Sequence, residues 1–377
     1  MDARAHIVVV GAGAVGSAAA RFLALAGHRV TLLEQFAIDH DRGSSFGASR
    51  IIRRTYVDDH YTAWMNHAYP LWDQLEHDAG ERLRVRCGGL FFAPRGHVDM
   101  RQLRASLEKH GAAFETLDTR TGAARFPAFA WDGTEDIVFE RDAGYLRASA
   151  CVRANVRLAV AAGVQLVEQT SVEGIDSRGG TVRVRRTGGN PIEADGVILA
   201  AGPWMPERFE RAAGIPMRAT RQCFAYVAPR EDSAVHAATS MPVWIDFGTL
   251  MYGFPNDGEV AGVKIAQHIP GRTVDPSTVD RSVTDGDTAP LVAYAMRRIR
   301  SLEARVVHSQ VCLYTMTPDE DFVVDRHPDD PRIVVVGGLS GHGFKFTVLL
   351  GRIAASMAVG DPVDFDLARF ALARFRG

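Results

Sequence analysis

Residues 6–34 read HIVVVGAGAVGSAAARFLALAGHRVTLLE, and the order of residue types in that stretch decides the fold. An apolar run, Ile7 to Val10, leads into Gly11, Gly13 and Gly16. A helix of small residues follows, and a second apolar run, Val30 to Leu33, closes on Glu34. The pattern predicts a strand, a tight turn, a helix and a second strand. Gly11 permits the turn and Gly13 lets the backbone approach a pyrophosphate. Gly16 lets the helix pack close to the strand, with its N-terminus aimed at the phosphates. Glu34 ends the second strand about 20 residues further on, where a carboxylate accepts from ribose hydroxyls. A glycine-rich turn in an ordinary βαβ unit would leave Glu34 unexplained. The chain is therefore expected to bind a dinucleotide.

Composition sets looser bounds. A chain of 377 residues and 41.1 kDa has room for two domains. Its 46% hydrophobic and 23% charged content is that of a soluble globular protein. A net charge of −2 makes no case for nucleic acid or a membrane surface as partner. No run approaches the roughly 20 apolar residues of a membrane helix. Arg4 and the apolar residues after it resemble a signal peptide, but the glycine fingerprint accounts for the same residues. Cys87, Cys151, Cys223 and Cys312 are scattered, without CxxC or metal spacing, which suits a reducing cytoplasm and no metal centre.

The use of basic residues is uneven. Of 43 lysines and arginines only Lys109, Lys264 and Lys345 are lysine. A lysine kept in such a chain is a compact, titratable ammonium where a guanidinium fork would not serve. Lys109 lies in a polar helical stretch and is expected to be solvated. Lys264 lies in the strand-like AGVKIAQH and Lys345 in the glycine-rich GGLSGHGFKF; the alternative for each is a snorkelling stem or a salt bridge.

The rest of the chain is interleaved. A helix is expected from Ser149 to Ala162, then a strand VQLVEQTSV, then a hairpin formed by TVRVRR and GVILAAG over residues 181–200. One helix is expected near 288–302, and RIVVVGG at 332–338 repeats the strand-into-glycine pattern before a helix through 346–359. The fold class is α/β (mixed α+β): a Rossmann-like dinucleotide domain from residues 1–80, 145–215 and 305–377. A substrate domain from 81–144 and 216–304, built on a mixed or antiparallel sheet, is inserted into it. An NAD dehydrogenase usually completes its nucleotide fold contiguously, so a site assembled from three distant segments favours a flavin.

On GAGAVGSAAA, SRIIRRTY at 49–56, YGFP at 252–255, GVKIAQH at 262–268, VCLYTMTPDEDFVVDRHP at 311–328 and SGHGFKF at 340–346, the chain resembles the monomeric sarcosine oxidases and N-methyltryptophan oxidases. These lie within the wider D-amino acid oxidase family of FAD enzymes, and the resemblance covers nearly the whole length. It implies a monomer with FAD attached through an 8α-thioether to Cys312, a buried structural cysteine being the alternative. It implies that Lys264 stands near flavin N5 and serves oxygen activation, a role an oxidase needs and a dehydrogenase does not. Arg53 and Lys345 then clamp the substrate carboxylate, Arg50 lies nearer the flavin, and Arg54 is structural or exposed. His268 and Tyr252 contact or orient the amine, and His342 and Gly341 line flavin and substrate through their backbone. Tyr314 lies along the flavin ring. Further cofactor contacts are expected from Val15, Ser44, Ser49, Val172, Ala201, Gly202, Trp204, Gly343 and Lys345.

The reaction so implied is oxidation of the C–N bond of a secondary amino acid, N-methyl or cyclic, to an imine, with O2 reduced to H2O2. Three alternatives stay open. One is the same fold acting on a specialised biosynthetic substrate, a primary amino acid or a sugar–amine adduct. The others are an NAD-dependent dehydrogenase and a non-catalytic dinucleotide-binding protein.

Overall fold

The computed structural model describes residues 4–206, 216–230 and 234–375. The segment 207–215, expected within the dinucleotide domain, lies outside the described residues. Two large sheets carry the fold. The first has six strands in the order 323–327, 330–337, 196–199, 6–10, 29–33, 165–167, all parallel except 323–327 at one edge. Strand His6–Val10 is buried at every position, as an apolar run between two parallel neighbours must be. Helix Ala14–Leu25 packs on helices Ala148–Ala161 and Thr347–Val359. Its small face allows a close approach: a Cβ on Gly351 would stand 2.6 Å from the Cβ of Ala18.

The second sheet has eight strands in the order 302–316, 218–229, 263–267, 251–254, 243–246, 89–94, 135–140, 115–117. Most neighbours are antiparallel; strands Val243–Asp246 and Gly89–Pro94 are parallel. The segment boundary expected at 304/305 falls inside strand Leu302–Met316, which belongs to this sheet. A small three-stranded sheet pairs Arg50–Ile52 and Arg84–Val85 with Gly144–Leu146.

Three local expectations need correction. TVRVRR and GVILAAG do not form a hairpin. Strand Thr181–Arg186 pairs with Val172–Arg178 and Ile192–Ala194, whereas Gly196–Leu199 is parallel to His6–Val10 and to strand Asp330–Gly337. An all-apolar strand needs cover on both faces, and only the centre of the large sheet supplies it. VQLVEQTSV is likewise two strands, Gln165–Val167 and the start of Val172–Arg178. Between them Gln169 takes φ 54, and its N–H bonds to Phe36 O at 3.1 Å. The helix expected at 288–302 spans Asp285–Arg298, started by a Thr284–Asp287 capping box; the chain is a strand again from Leu302.

Candidate active site

One continuous cavity runs between the two large sheets. Every residue named above for the site lines it except Gly16. Gly16 sits beneath the lining, where a Cβ would come within 1.8 Å of the Gly11 carbonyl oxygen. The glycine turn therefore depends on Gly16 through packing rather than contact. Gly11, at φ +96, presses on Ala200, whose oxygen a Cβ would approach to 2.5 Å.

At this end of the cavity Gly13, Ala14 and Val15, the start of helix Ala14–Leu25, line the wall, so the positive end of the helix faces the cavity. The Ser45 hydroxyl accepts from Ala14 N at 3.1 Å. Glu34 is buried, and one carboxylate oxygen accepts from Ala12 N at 2.9 Å, the other from Phe36 N at 3.0 Å. Trp204 donates from Nε1 to Ser277 Oγ at 3.2 Å, and Ser44 Oγ donates to Leu313 O at 2.6 Å. A helix N-terminus on the cavity wall for a pyrophosphate, with a fixed carboxylate for a ribose beside it, fits a dinucleotide such as FAD.

Further along, Arg50 holds three backbone carbonyls, those of Ser49, Ser44 and Phe46, at 2.7–2.9 Å. Strand Val263–Gln267 brings Lys264 into the wall. Val263 and Ile265 face the apolar core, so alternation turns Lys264 to the other face, level with Tyr226 and Phe254 on the flanking strands. Its ammonium lies 4.3 Å from the Phe224 ring centroid and 5.0 Å from that of Phe254, and donates to Ser49 O and Oγ, both at 3.3 Å. Burial first, then the Arg50 charge, lowers this lysine from its ordinary 10.5 to about 7. Cys312 lies on strand Leu302–Met316. Burial raises its thiol, against the pull of Arg50, Lys264 and Arg281 toward thiolate. All four cysteines are unpaired thiols.

At the far end the cations converge. Lys345 Nζ donates to Tyr56 Oη at 2.8 Å and to His342 O at 2.7 Å. The Arg53 guanidinium stacks 4.0 Å over the same Tyr56 ring, and its buried Nη1 has no hydrogen-bond partner. An unsatisfied guanidinium donor on a cavity wall needs an acceptor from elsewhere, and a carboxylate is the natural one. His268 lies with its ring centroid 5.7 Å from that of Tyr314. Burial, with Lys345 and Arg53 adding to it, pushes its imidazole down to about 4, so it is neutral at pH 7. Tyr252 and Tyr314 meet hydroxyl to hydroxyl at 3.2 Å, and Gly341 makes room for the Tyr314 ring, 2.3 Å from where a Cβ would stand.

Arg54 turns away, to Asn66 at 2.9 Å, Asp142 at 3.2 Å and the Tyr69 ring. Sequence reasoning missed Tyr56, which joins the two cations, although it ends the quoted SRIIRRTY. It also missed Glu140, a buried carboxylate that accepts from Arg54 N, Thr55 N and Thr55 Oγ1 and so pins the loop carrying Arg53. Nothing local marks Glu140, since its partners lie 85 and 86 residues away.

Compared with known proteins, residues 6–357 match the family model described as FAD dependent oxidoreductase. The chain is 32% identical to the monomeric sarcosine oxidase of Streptomyces avermitilis, over 97% of this chain and 98% of that protein. It is 30% identical to the N-methyl-L-tryptophan oxidase of Yersinia pestis, over 98% and 99% respectively. Among solved structures, NikD, an unusual amino acid oxidase essential for nikkomycin biosynthesis, superposes with a TM-score of 0.86 at 25% identity. The match covers 97% of this chain and 96% of that one.

Proposed function

Because the chain belongs to the family of FAD-dependent oxidoreductases, and within it to the sarcosine and N-methyl amino acid oxidase type, we propose that it oxidises the C–N bond of a secondary amino acid. The product is an imine, hydrolysed in water to an amine and an aldehyde or oxo acid, and O2 leaves as H2O2. The observation that carries this reading is the pairing of Arg53, with its orphaned Nη1, and Lys345 across Tyr56 on the cavity wall.

Bound FAD supplies a two-electron acceptor for the amine and, once reduced, a donor to O2. The protein does the rest. Arg53 and Lys345 hold the carboxylate, the first through parallel donors and the second as a point charge. A carboxylate bound there cancels the two charges that depress His268, so the neutral imidazole becomes a better proton acceptor for the amine when substrate arrives. Lys264 places a positive charge, without reorganisation, where negative charge develops as O2 is reduced. Cys312, on a rigid strand in the same wall, is our candidate for the covalent thioether to FAD. Acid precipitation tests it: flavin colour is expected in the pellet of wild type and in the supernatant of Cys312→Ser. Colour wholly in the wild-type supernatant would refute the link.

The reaction class is tested by titrating the holoenzyme without air against sarcosine, N-methyl-L-tryptophan, L-proline and their primary amine counterparts. Bleaching of the flavin by a secondary amino acid, with recovery on admitting air, is expected. Bleaching only by primary amines, or by none of the panel, would contradict the substrate class.

A further inference from the structure

A second cavity, lined by Tyr145, Asn256, Asp257 and Arg147 among others, shares no lining residue with the active-site cavity. A run of hydroxyls connects the two. Lys264 Nζ donates to Ser49 Oγ at 3.3 Å, and the Ser49 hydroxyl lies near enough to the Tyr226 phenol to pull its pKa down, against the larger rise from burial. Tyr226 Oη in turn donates to Asp257 Oδ2 at 2.8 Å. The other carboxylate oxygen of Asp257 accepts from Glu259 N at 3.0 Å and Val260 N at 3.3 Å, which fixes its direction. Tyr226 stands directly opposite Lys264 in the antiparallel register, with its buried ring centroid 5.8 Å from Nζ and its hydroxyl on Asp257.

Resting on the oxidase reading above, we propose that Asp257, Tyr226 and Ser49 form a proton-entry path that recharges Lys264 from the second cavity during O2 reduction. Reduced FAD would supply two electrons and one proton, and O2 needs two of each to leave as H2O2. The Lys264 ammonium gives the missing proton and becomes a neutral amine. Asp257, protonated by water in the second cavity, then passes a proton to Tyr226 as the Tyr226 proton moves to Ser49 and the Ser49 proton to Nζ. One solvent proton is consumed per turnover and the three relay groups return to their starting states. An ammonium held at about 7 exchanges between its two forms at neutral pH. The charged and titratable groups that face it are Arg50, Asp257, Cys312 and Glu259, with Tyr226 alongside.

Tyr226 is a positioning residue here, and Tyr226→Phe keeps its ring against Phe224 and His308 while breaking the path. The holoenzyme is reduced chemically with dithionite, and its reoxidation by O2 is followed from pH 6 to 9 in H2O and D2O. Reoxidation of the variant is expected to slow at least about tenfold above pH 7, with an altered solvent isotope effect. Anaerobic reduction by substrate is expected to stay within about twofold of wild type. A second measurement needs no turnover. The chain holds three lysines, so 15N-lysine labelling yields three Nζ resonances. Proton exchange at Lys264 is expected to slow in Tyr226→Phe and in Asp257→Asn, and to stay unchanged at Lys109 and Lys345. Unchanged Lys264 exchange in both variants, or an unchanged pH profile of reoxidation, would overturn the path. Failure of wild type to react with O2 after dithionite would instead sink the oxidase reading, and the exchange measurement would then decide the path alone.

Discussion

Two of the three lysines, Lys264 and Lys345, are buried on the wall of one cavity, in a chain that otherwise uses arginine for positive charge. Both burials cost desolvation, and each lysine keeps few acceptors. For Lys345 these are the Tyr56 hydroxyl and the His342 carbonyl, which leave it free to meet an anion. Lys345→Met is expected to weaken binding of a substrate carboxylate by about 2–3 kcal/mol, roughly a hundredfold in Kd. Anaerobic titration measures this, and reoxidation of the chemically reduced flavin should not change. His268 gives a pH signature. Its folded value of about 4 lies below the ordinary 6.5, so between those limits the unfolded chain binds a proton that the folded chain does not. The stability it contributes is complete above pH 6.5 and is lost as pH falls toward 4. His268→Asn should therefore lose less melting temperature than wild type over that window; identical acid slopes would contradict the desolvation of this ring. The lysines were legible because composition isolates them. Tyr56, Tyr226, Asp257 and Glu140 were not, because each acquires meaning only from a partner that the fold brings near.

The N-terminal strand, turn and helix read correctly from sequence because every signal in them is local: apolar run, glycine spacing and small helix face. Pairing between distant strands is not local. Gly196–Leu199 looks like the return arm of a hairpin and is instead the parallel neighbour of His6–Val10. The break at Gln169 escaped for a similar reason, since the Phe36 carbonyl that its N–H meets belongs to another loop. The glycine turn itself is open to test. Gly16→Ala drives a Cβ into the backbone oxygen of Gly11, which no side-chain rotation relieves. A loss of about 3 kcal/mol is expected, seen as a lower melting temperature and weaker flavin retention. Gly180→Ala, where a Cβ meets nothing within 4 Å, should leave both unchanged. Equal melting temperatures for Gly16→Ala and wild type would show that the helix is not packed as closely as described.

At the scale of the whole molecule, the six-stranded sheet and its helices present the dinucleotide end of the cavity, and the eight-stranded sheet supplies the opposite wall. The residues assigned to the two halves of the reaction arrive on different elements. Arg53 follows strand Arg50–Ile52 and Lys345 lies in the turn Phe344–Phe346, whereas Lys264 sits mid-strand in the large antiparallel sheet. Substrate oxidation and O2 reduction should therefore be separable by mutation. The measurement is stopped-flow kinetics of both half-reactions in Lys264→Met, each followed by flavin absorbance. Reoxidation by O2 is expected to fall by about 100-fold or more, the scale of removing one preorganised electrostatic group, while reduction by substrate changes only a few-fold. An equal loss in both half-reactions would contradict a dedicated oxygen-activating lysine, and with it the division of labour within this cavity.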